Sequence, residues 1–342
     1  MTRKKVLSID STKGGNGDIW MRLVSLYSVA ALYSDLEIRL LIPQFLRPLA
    51  NHAFSDRLTI LEDERKVNLK YSSLGIKDLF RGFLRGETYI LPYQRSIIID
   101  KKQRLLKDSI NILLFNFAQH FGLVHIPDWK WITVYQGFLD IIGIKNLRKI
   151  EYLSFQSQLR SDYEIIFKRL HSNVPTSIEL QVPQDLAQNI LVFPTGTSRQ
   201  FIPVWWARKN LPNAYYAFFS KDPEAIEFEK EGLKTVKYYK EPGDMIVLSN
   251  HSLWTISTDS FSSHILQSST KNSTITLTEV LKSRIISPAY TGKVVDSTAP
   301  CHPCLHLDRK NHPLCAAGYE ECINWKDSNY SRKIIESIPD FM

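Results

Sequence analysis

Apolar and polar positions along this 342-residue chain fall into short apolar runs separated by longer mixed stretches. "KVLSI" (5–9) has strand length, and Asp18–Leu32 is apolar on nearly every face, which predicts a mostly buried helix. "LEIRLLIP" (36–43) and "RLTIL" (57–61) predict two more strands, and 75–145 reads as mostly helical, ending in "VYQGFLDIIGI" (134–144). Residues 151–188 show no clear strand and contain Pro175 and Pro183, so the interdomain connection is placed there. Alternation then restarts. "NILVFPTG" (189–196), "AYYAFFS" (214–220), "TVKYY" (235–239) and "LWTIST" (253–258) read as strands. "WWARKNL" (205–211), Gly243–Asn250 and the stretch around Ser262–Leu266 read as helices. In "KDPEAIEFEKEG", Asp222 suits a cap, Pro223 the first turn and Gly232 the stop. Strand–helix alternation argues for parallel sheets covered by helices. The chain therefore reads as two α/β domains in series, 1–165 and 166–342, with no solenoid repeat and no low-complexity tract.

With 44% apolar and 23% charged residues, the composition is that of a folded globular chain. The longest apolar candidate, 110–126, is broken by Asn111, Asn116, Gln119, His120 and His125, so no stretch approaches the roughly 20 apolar residues of a membrane span. "MTRKKVLSID" lacks the apolar core of a signal peptide, and the expected location is cytoplasmic. The formal net charge is +8. That fits either an ordinary basic soluble protein or a partner carrying phosphate: a nucleotide, an anionic lipid surface or nucleic acid. "GIKDLFRGFLRG" (75–86) interleaves basic and apolar residues. Such a helix could rest peripherally on an anionic inner-membrane surface, or serve as an ordinary amphipathic core helix.

Candidate chemistry begins at "STKGGNGDIWMRL" (11–23), where Gly14, Gly15 and Gly17 stand between a strand and a helix. Glycines there permit positive φ and close approach of the backbone to a ligand. The turn is neither a P-loop, since Lys13 precedes the glycines, nor a dinucleotide fingerprint, since Trp20 or Met21 takes the third glycine position. It is either a plain strand-to-helix turn or the seat of Asp18. A carboxylate at a helix N-terminus and at the mouth of an α/β crevice can take a proton from a substrate hydroxyl.

In the second half, "FPTGTSR" (193–199) sets Thr195, Thr197, Ser198 and Arg199 after a strand. Hydroxyls, amides and a guanidinium at such a turn suit a diphosphate, although a surface turn has the same composition. "STDSFSSHIL" (257–266) places Asp259 and Ser260 at a strand end, with His264 following. Asp259 could cap the next helix while His264 packs, or both could enter a crevice with Arg199 and meet a nucleotide diphosphate.

These pieces together resemble glycosyltransferase family 9, the ADP-heptose-using heptosyltransferases of lipopolysaccharide core assembly. The matching stretches are "GGNGDIWMRLVSLYSVAAL", "VYQGFLDIIGI", "FPTGTSRQFIPVWW", "LWTISTDSFSSHIL" and the cysteine tail, in the family's order over about residues 5–335. The resemblance implies the α/β GT-B fold, with two Rossmann-like domains facing a central cleft: an acceptor-side domain, then a nucleotide-sugar-binding domain. It implies inversion at the anomeric carbon without a catalytic metal. Asp18 corresponds to the base that activates the acceptor. Thr195, Thr197 and Arg199 fall where the family binds the donor diphosphate, and Asp259, Ser260 and His264 in its other donor loop. The implied partners are an ADP-heptose-like nucleotide-diphosphate sugar and a glycan, glycolipid or protein acceptor. The chain departs where the family often has Lys followed by Trp-Pro, here Arg199 and "QFIP", and where it often has glycine, here Phe261.

All four cysteines, Cys301, Cys304, Cys315 and Cys322, lie in the last 42 residues, spaced C-x2-C-x10-C-x6-C. In a cytosolic chain this clustering points to metal ligation more than to disulfides, and four thiolates suit a structural tetrahedral zinc or iron site. His302, His306 and His312 are substitute ligands, and unligated thiols are the alternative. Similar cysteine tails occur in the family, and in its autotransporter heptosyltransferases the cluster resembles an iron-holding finger. Two further function classes fit parts of the sequence. One is a basic nucleic-acid-binding protein with a zinc-type module, which the scarcity of bases and aromatics in 301–322 argues against. The other is a catalytically silent relative acting as a scaffold.

Overall fold

The computed structural model describes residues 5–11, 15–34, 36–61, 87–90, 124–125, 152–196, 201–219, 222–304 and 322–339. The chain divides into two compact units, Met1–Tyr163 and Glu164–Met342.

The first unit holds a five-stranded parallel sheet in the order β3-β2-β1-β4-β5. Its strands are β1 (Lys5–Asp10), β2 (Leu36–Leu41), β3 (Leu58–Ile60), β4 (Glu87–Ile90) and β5 (Val124–His125). Helix α1 (Asn16–Leu32) is buried from Ile19 through Val29, as its apolar pattern predicts. Its buried Ser25 and Ser28 hydroxyls donate back to the carbonyls of Met21 (2.8 Å) and Val24 (3.4 Å), so they enter the core already paired. Trp20 and Tyr27 pack on Phe54 of α2 (Arg47–Phe54), with ring centroids 5.2 and 5.7 Å apart.

The expectation of a mostly helical 75–145 is corrected at β4 and β5, which are strands. "ETYI" pairs beside β1 with register Val6–Glu87 to Ile9–Ile90, so sheet pairing decides a segment whose local pattern is ambiguous. The amphipathic 75–86 segment and 134–144 lie outside the described residues.

Helix α3 (Tyr152–Leu170) occupies the stretch where the sequence suggested only a connection. Phe155, Leu159, Tyr163, Ile166 and Leu170 form its buried stripe at three- and four-residue spacing. Asp162 on the same helix is fully buried and accepts 2.8 Å from Arg57, whose guanidinium also stacks over the Tyr27 ring at 4.1 Å. The buried carboxylate is thereby paired, the condition under which a charge is tolerated inside.

The second unit holds a six-stranded parallel sheet in the order β11-β10-β9-β6-β7-β8. Its strands are β6 (Ile190–Phe193), β7 (Tyr215–Phe219), β8 (Lys234–Tyr239), β9 (Trp254–Thr258), β10 (Ser273–Thr276) and β11 (Lys293–Val295). The crossover helices are α4 (Val204–Asn210), α5 (Glu224–Lys230), α6 (Pro242–His251), α7 (Phe261–Ser269) and α8 (Lys282–Ile285), with α9 (Ser328–Glu336) near the C-terminus. Gly232 stops α5 as predicted: it has φ 73°, and the amides of Gly232 and Leu233 bond back to Glu229 and Phe228.

β9 and β10 are buried along their whole length although rich in serine and threonine. Their hydroxyls are paired inside: the Trp254 indole donates to Thr274 (2.9 Å), and the Thr276 hydroxyl to the Ser257 carbonyl (3.2 Å). Trp206 of α4 meets Trp325 edge-on at 5.2 Å and donates 2.7 Å to Ser331 of α9, so the C-terminal segment closes this core. Among the described residues, no helix is long and apolar enough to cross a membrane.

Candidate functional site

Strand order locates where each sheet can bind a ligand. In the first sheet the chain runs outward through β1, β2 and β3, then returns to the other side of β1 with β4 and β5. In the second it runs outward through β6, β7 and β8, then returns beside β6 with β9, β10 and β11. Each sheet therefore has one reversal point, β1/β4 or β6/β9. Open parallel sheets take ligands in the crevice beyond the carboxyl ends of the strands at that point.

At the first reversal point the chain leaves β1 through Ser11 and enters α1 after Gly15. Gly14 lies outside the described residues. Asp18 stands in the first turn of α1 with an exposed side chain, and the Gly15 amide donates to its Oδ2 at 3.3 Å. Gly15 is extended, with φ −68° and ψ 143°, so the expected need for positive φ does not hold there. Close approach is the constraint instead: a Cβ on Gly15 would sit 3.2 Å from the Asp18 carboxylate. Gly17 is buried within the first turn.

At the second reversal point several polar residues converge. Thr195 lies just beyond β6 and is half-buried. Its carbonyl accepts 3.3 Å from the hydroxyl of Thr258, the last residue of β9. Asp259 follows, buried, and its Oδ1 lies 3.9 Å from Nε2 of the buried His264. Ser260, rather than Asp259, is the cap of α7. Its hydroxyl shares a hydrogen with Ser262 at 2.7 Å, and its amide and carbonyl both bond the Ser263 hydroxyl. This short serine network fixes the start of α7 and so the placement of Asp259 and His264. Thr197, Ser198 and Arg199 lie outside the described residues; on either side of them, the Ile202 amide donates to the Pro194 carbonyl at 2.8 Å.

Asp222 joins this group and corrects a sequence expectation. It makes no side-chain cap for α5. Its carboxyl instead stands beside the Thr195 side chain, beyond the ends of β7 and β6. Burial first, and then the charge on Glu224, push this carboxyl above its ordinary value, against the smaller downward pull of Thr195 and the Phe219 backbone. The sequence signal was positional: Thr195, Asp222 and Asp259 each follow the end of a strand in one parallel sheet.

Near the C-terminus, Cys304 and Cys322 are buried and Cys301 is half-buried. Cys322 Sγ accepts 3.1 Å from Asn324, and the Cys304 amide donates to the Glu279 carbonyl. Burial first pushes the Cys322 thiol up, with smaller upward contributions from Cys301 and Glu279. The Nε2 of His302 is engaged by the Val280 carbonyl at 2.9 Å. Cys315, His306 and His312 lie outside the described residues. Among the described residues no group of three or more His, Cys, Asp and Glu side chains could hold a metal ion.

No protein-family model matches the chain, and no curated protein matches it in sequence. Solved structures do match. The Escherichia coli ADP-heptose LPS heptosyltransferase II is 13% identical, with 97% of each chain covered and a TM-score of 0.55. A glycosyl transferase of family 9 from Veillonella parvula is 12% identical, with 98% of each chain covered and a TM-score of 0.56. The fold is GT-B. Both Rossmann-like units of this chain fall within the matched length, so the likeness extends over both parallel sheets.

Proposed function

We propose that this protein is an inverting glycosyltransferase. It moves a sugar, with heptose first among the candidates, from a nucleotide-diphosphate donor to a lipopolysaccharide-type saccharide or a protein hydroxyl. The observation that carries the reading is the convergence of Thr195, Asp222, Thr258, Asp259 and His264 at the β6/β9 reversal point of a GT-B chain. Neighbours of this fold include a protein described as an ADP-heptose heptosyltransferase, which supports a nucleotide-sugar donor.

In this reading the second unit holds the donor. The carboxylates of Asp222 and Asp259 accept from ligand hydroxyls. His264, Arg199, the hydroxyls of Thr195, Thr197 and Ser198, and the N-terminal amides of α7 receive the diphosphate as negative charge builds on the leaving group. The first unit binds the acceptor, and Asp18 takes the proton from the attacking hydroxyl. The nucleophile attacks the anomeric carbon opposite the departing diphosphate, so the configuration inverts. Fixed cationic and N–H donors supply the charge stabilisation that a catalytic divalent ion would otherwise provide. A basic surface would favour anionic acceptors and peripheral contact with an anionic membrane.

A structural zinc or iron at Cys301, Cys304, Cys315 and Cys322 belongs to the same proposal. The donor set suits it: Cys322 Sγ already accepts an N–H from Asn324, as coordinating thiolates do. Such an ion would tie 301–322 to the core through Cys322 and leave the donor crevice alone. Elemental analysis of protein purified without added metal tests it. The expected result is one zinc or iron per chain, and none of either, with four freely titratable thiols, overturns it.

The transferase reading is tested by incubating the protein with nucleotide sugars and a deacylated lipopolysaccharide core, then following product mass and anomeric configuration. A scaffold would bind the nucleotide sugar and yield no product.

A further inference from the structure

Away from the strand ends, the outer surface of the second unit carries a groove of about 590 Å³ between α4 and α5. It is lined by Phe201, by Trp205, Arg208 and Lys209 of α4, by Glu227 of α5 and by Glu231, which caps the end of α5. Its volume is that of a site for a small ligand.

The helix sequences explain why this face differs from the core. In "VWWARKN", Trp206 and Ala207 face the sheet and are fully buried, and Trp206 already supplies the packing against Trp325. Trp205 is 40% exposed and lines the groove. On α5, Ala225 and Phe228 face inward, which turns Glu227 and Glu231 outward, one helical turn apart. Arg208 forms an ion pair with Glu231 across the groove.

We propose that this groove binds a neutral oligosaccharide. Two cations, Arg208 and Lys209, face two carboxylates, Glu227 and Glu231, so the lining carries no net charge. A phosphate or an acidic chain would meet as much repulsion as attraction there. A purely apolar ligand would strand four charged groups from water. A sugar chain satisfies both constraints. Its C–H face covers the indole of Trp205, and its hydroxyls both donate to carboxylates and accept from the guanidinium and ammonium. The groove is open rather than enclosed, which suits a chain that runs past it better than a single buried ring.

The inference stands on the groove alone, and its probes carry no nucleotide, so its failure leaves the donor reading intact. The test is saturation-transfer NMR and calorimetry on the full chain with maltohexaose, cellohexaose and mannohexaose, with inorganic phosphate and ADP as charged controls. At least one hexaose is expected to bind saturably, with transfer concentrated on the protons of one ring face. Trp205→Ala is expected to weaken that binding about tenfold, and Glu231→Gln by a smaller factor, while ADP affinity stays the same in both variants. Either of two results overturns the proposal: no transfer to any hexaose, or hexaose binding that Trp205→Ala leaves unchanged. Loss of phosphate or ADP binding in Trp205→Ala also overturns it, because the groove would then be an anion site.

Discussion

Thr195 and Asp222 stand side by side beyond the ends of neighbouring strands β6 and β7, and the Thr195 side chain pulls the Asp222 carboxyl down against a larger upward push. The pair sits at the edge of the proposed donor crevice, and the net pKa of the carboxyl is raised by burial and by Glu224. A carboxyl with a higher pKa folded than unfolded binds more protons in the folded state. Its contribution to stability is therefore full below the unfolded value and is lost as pH rises through the folded one.

Asp222→Asn removes that loss. Without ligand, the variant is expected to melt above wild type near pH 7, and the difference is expected to close as the pH falls below about 4. The same change should weaken nucleotide-sugar binding, since an amide accepts less well from ligand hydroxyls. Calorimetric melting across pH, with and without donor, checks both halves.

Gly243 is the second sensitive point. It lies against the connecting segment, and a Cβ there would meet the Pro175 carbonyl oxygen at 1.8 Å, so backbone must move. The adjacent Asp244 is fully buried and accepts from the amides of Ser177, Lys240 and Glu241 and from the Ser177 hydroxyl, at 2.7 to 3.0 Å. Together they clamp the segment before β6 onto α6. Gly243→Ala is expected to cost about 1–3 kcal/mol of stability or more, read from denaturant unfolding. Gly232→Ala supplies the contrast: nothing lies within 4 Å of its Cβ, and only the left-handed φ of 73° opposes the change. Its cost should be the smaller of the two.

Asp18 carries a local bond as well as the proposed chemistry, and the two roles separate by substitution. Asn keeps an oxygen for the Gly15 amide, so Asp18→Asn should leave the melting temperature close to wild type. Turnover should fall by about 10²–10⁴-fold, the usual contribution of a general base, with donor affinity unchanged. Turnover above about a tenth of wild type would remove Asp18 from the base role.

The parts legible in the sequence were those whose hydrophobic signal matched their burial. β1, β2, β6 and β7 are apolar runs, and α1 is apolar all round, so strand–helix alternation and a two-unit α/β chain followed directly. β10 was not predicted because Ile275 is the only apolar residue in "STIT". It is buried because its hydroxyls find partners inside the sheet, which no hydropathy pattern displays. α3 is hard to read because its apolar stripe, Phe155, Leu159, Ile166 and Leu170, is interleaved with Gln156, Gln158, Arg160 and Lys168 and leads into a proline-containing connection. At the candidate site, Thr195, Asp259 and His264 were legible from their places after strands. The role of Asp222 was not, because Asp-Pro before an acidic run is also the ordinary start of a helix. Only the parallel alignment of β6 and β7 sets it beside Thr195.

The central claim is that the β6/β9 end of the second unit binds a nucleotide-diphosphate sugar, and titration of ADP-heptose into the full chain by calorimetry tests it most directly. The account predicts one saturable site per chain. It predicts that His264→Ala weakens that site by roughly 10- to 150-fold, the loss of one charge-assisted hydrogen bond. ADP alone should bind with the same dependence on His264. No saturable heat from ADP-heptose or from a panel of other nucleotide-diphosphate sugars, or binding that His264→Ala leaves at wild-type strength, would contradict it.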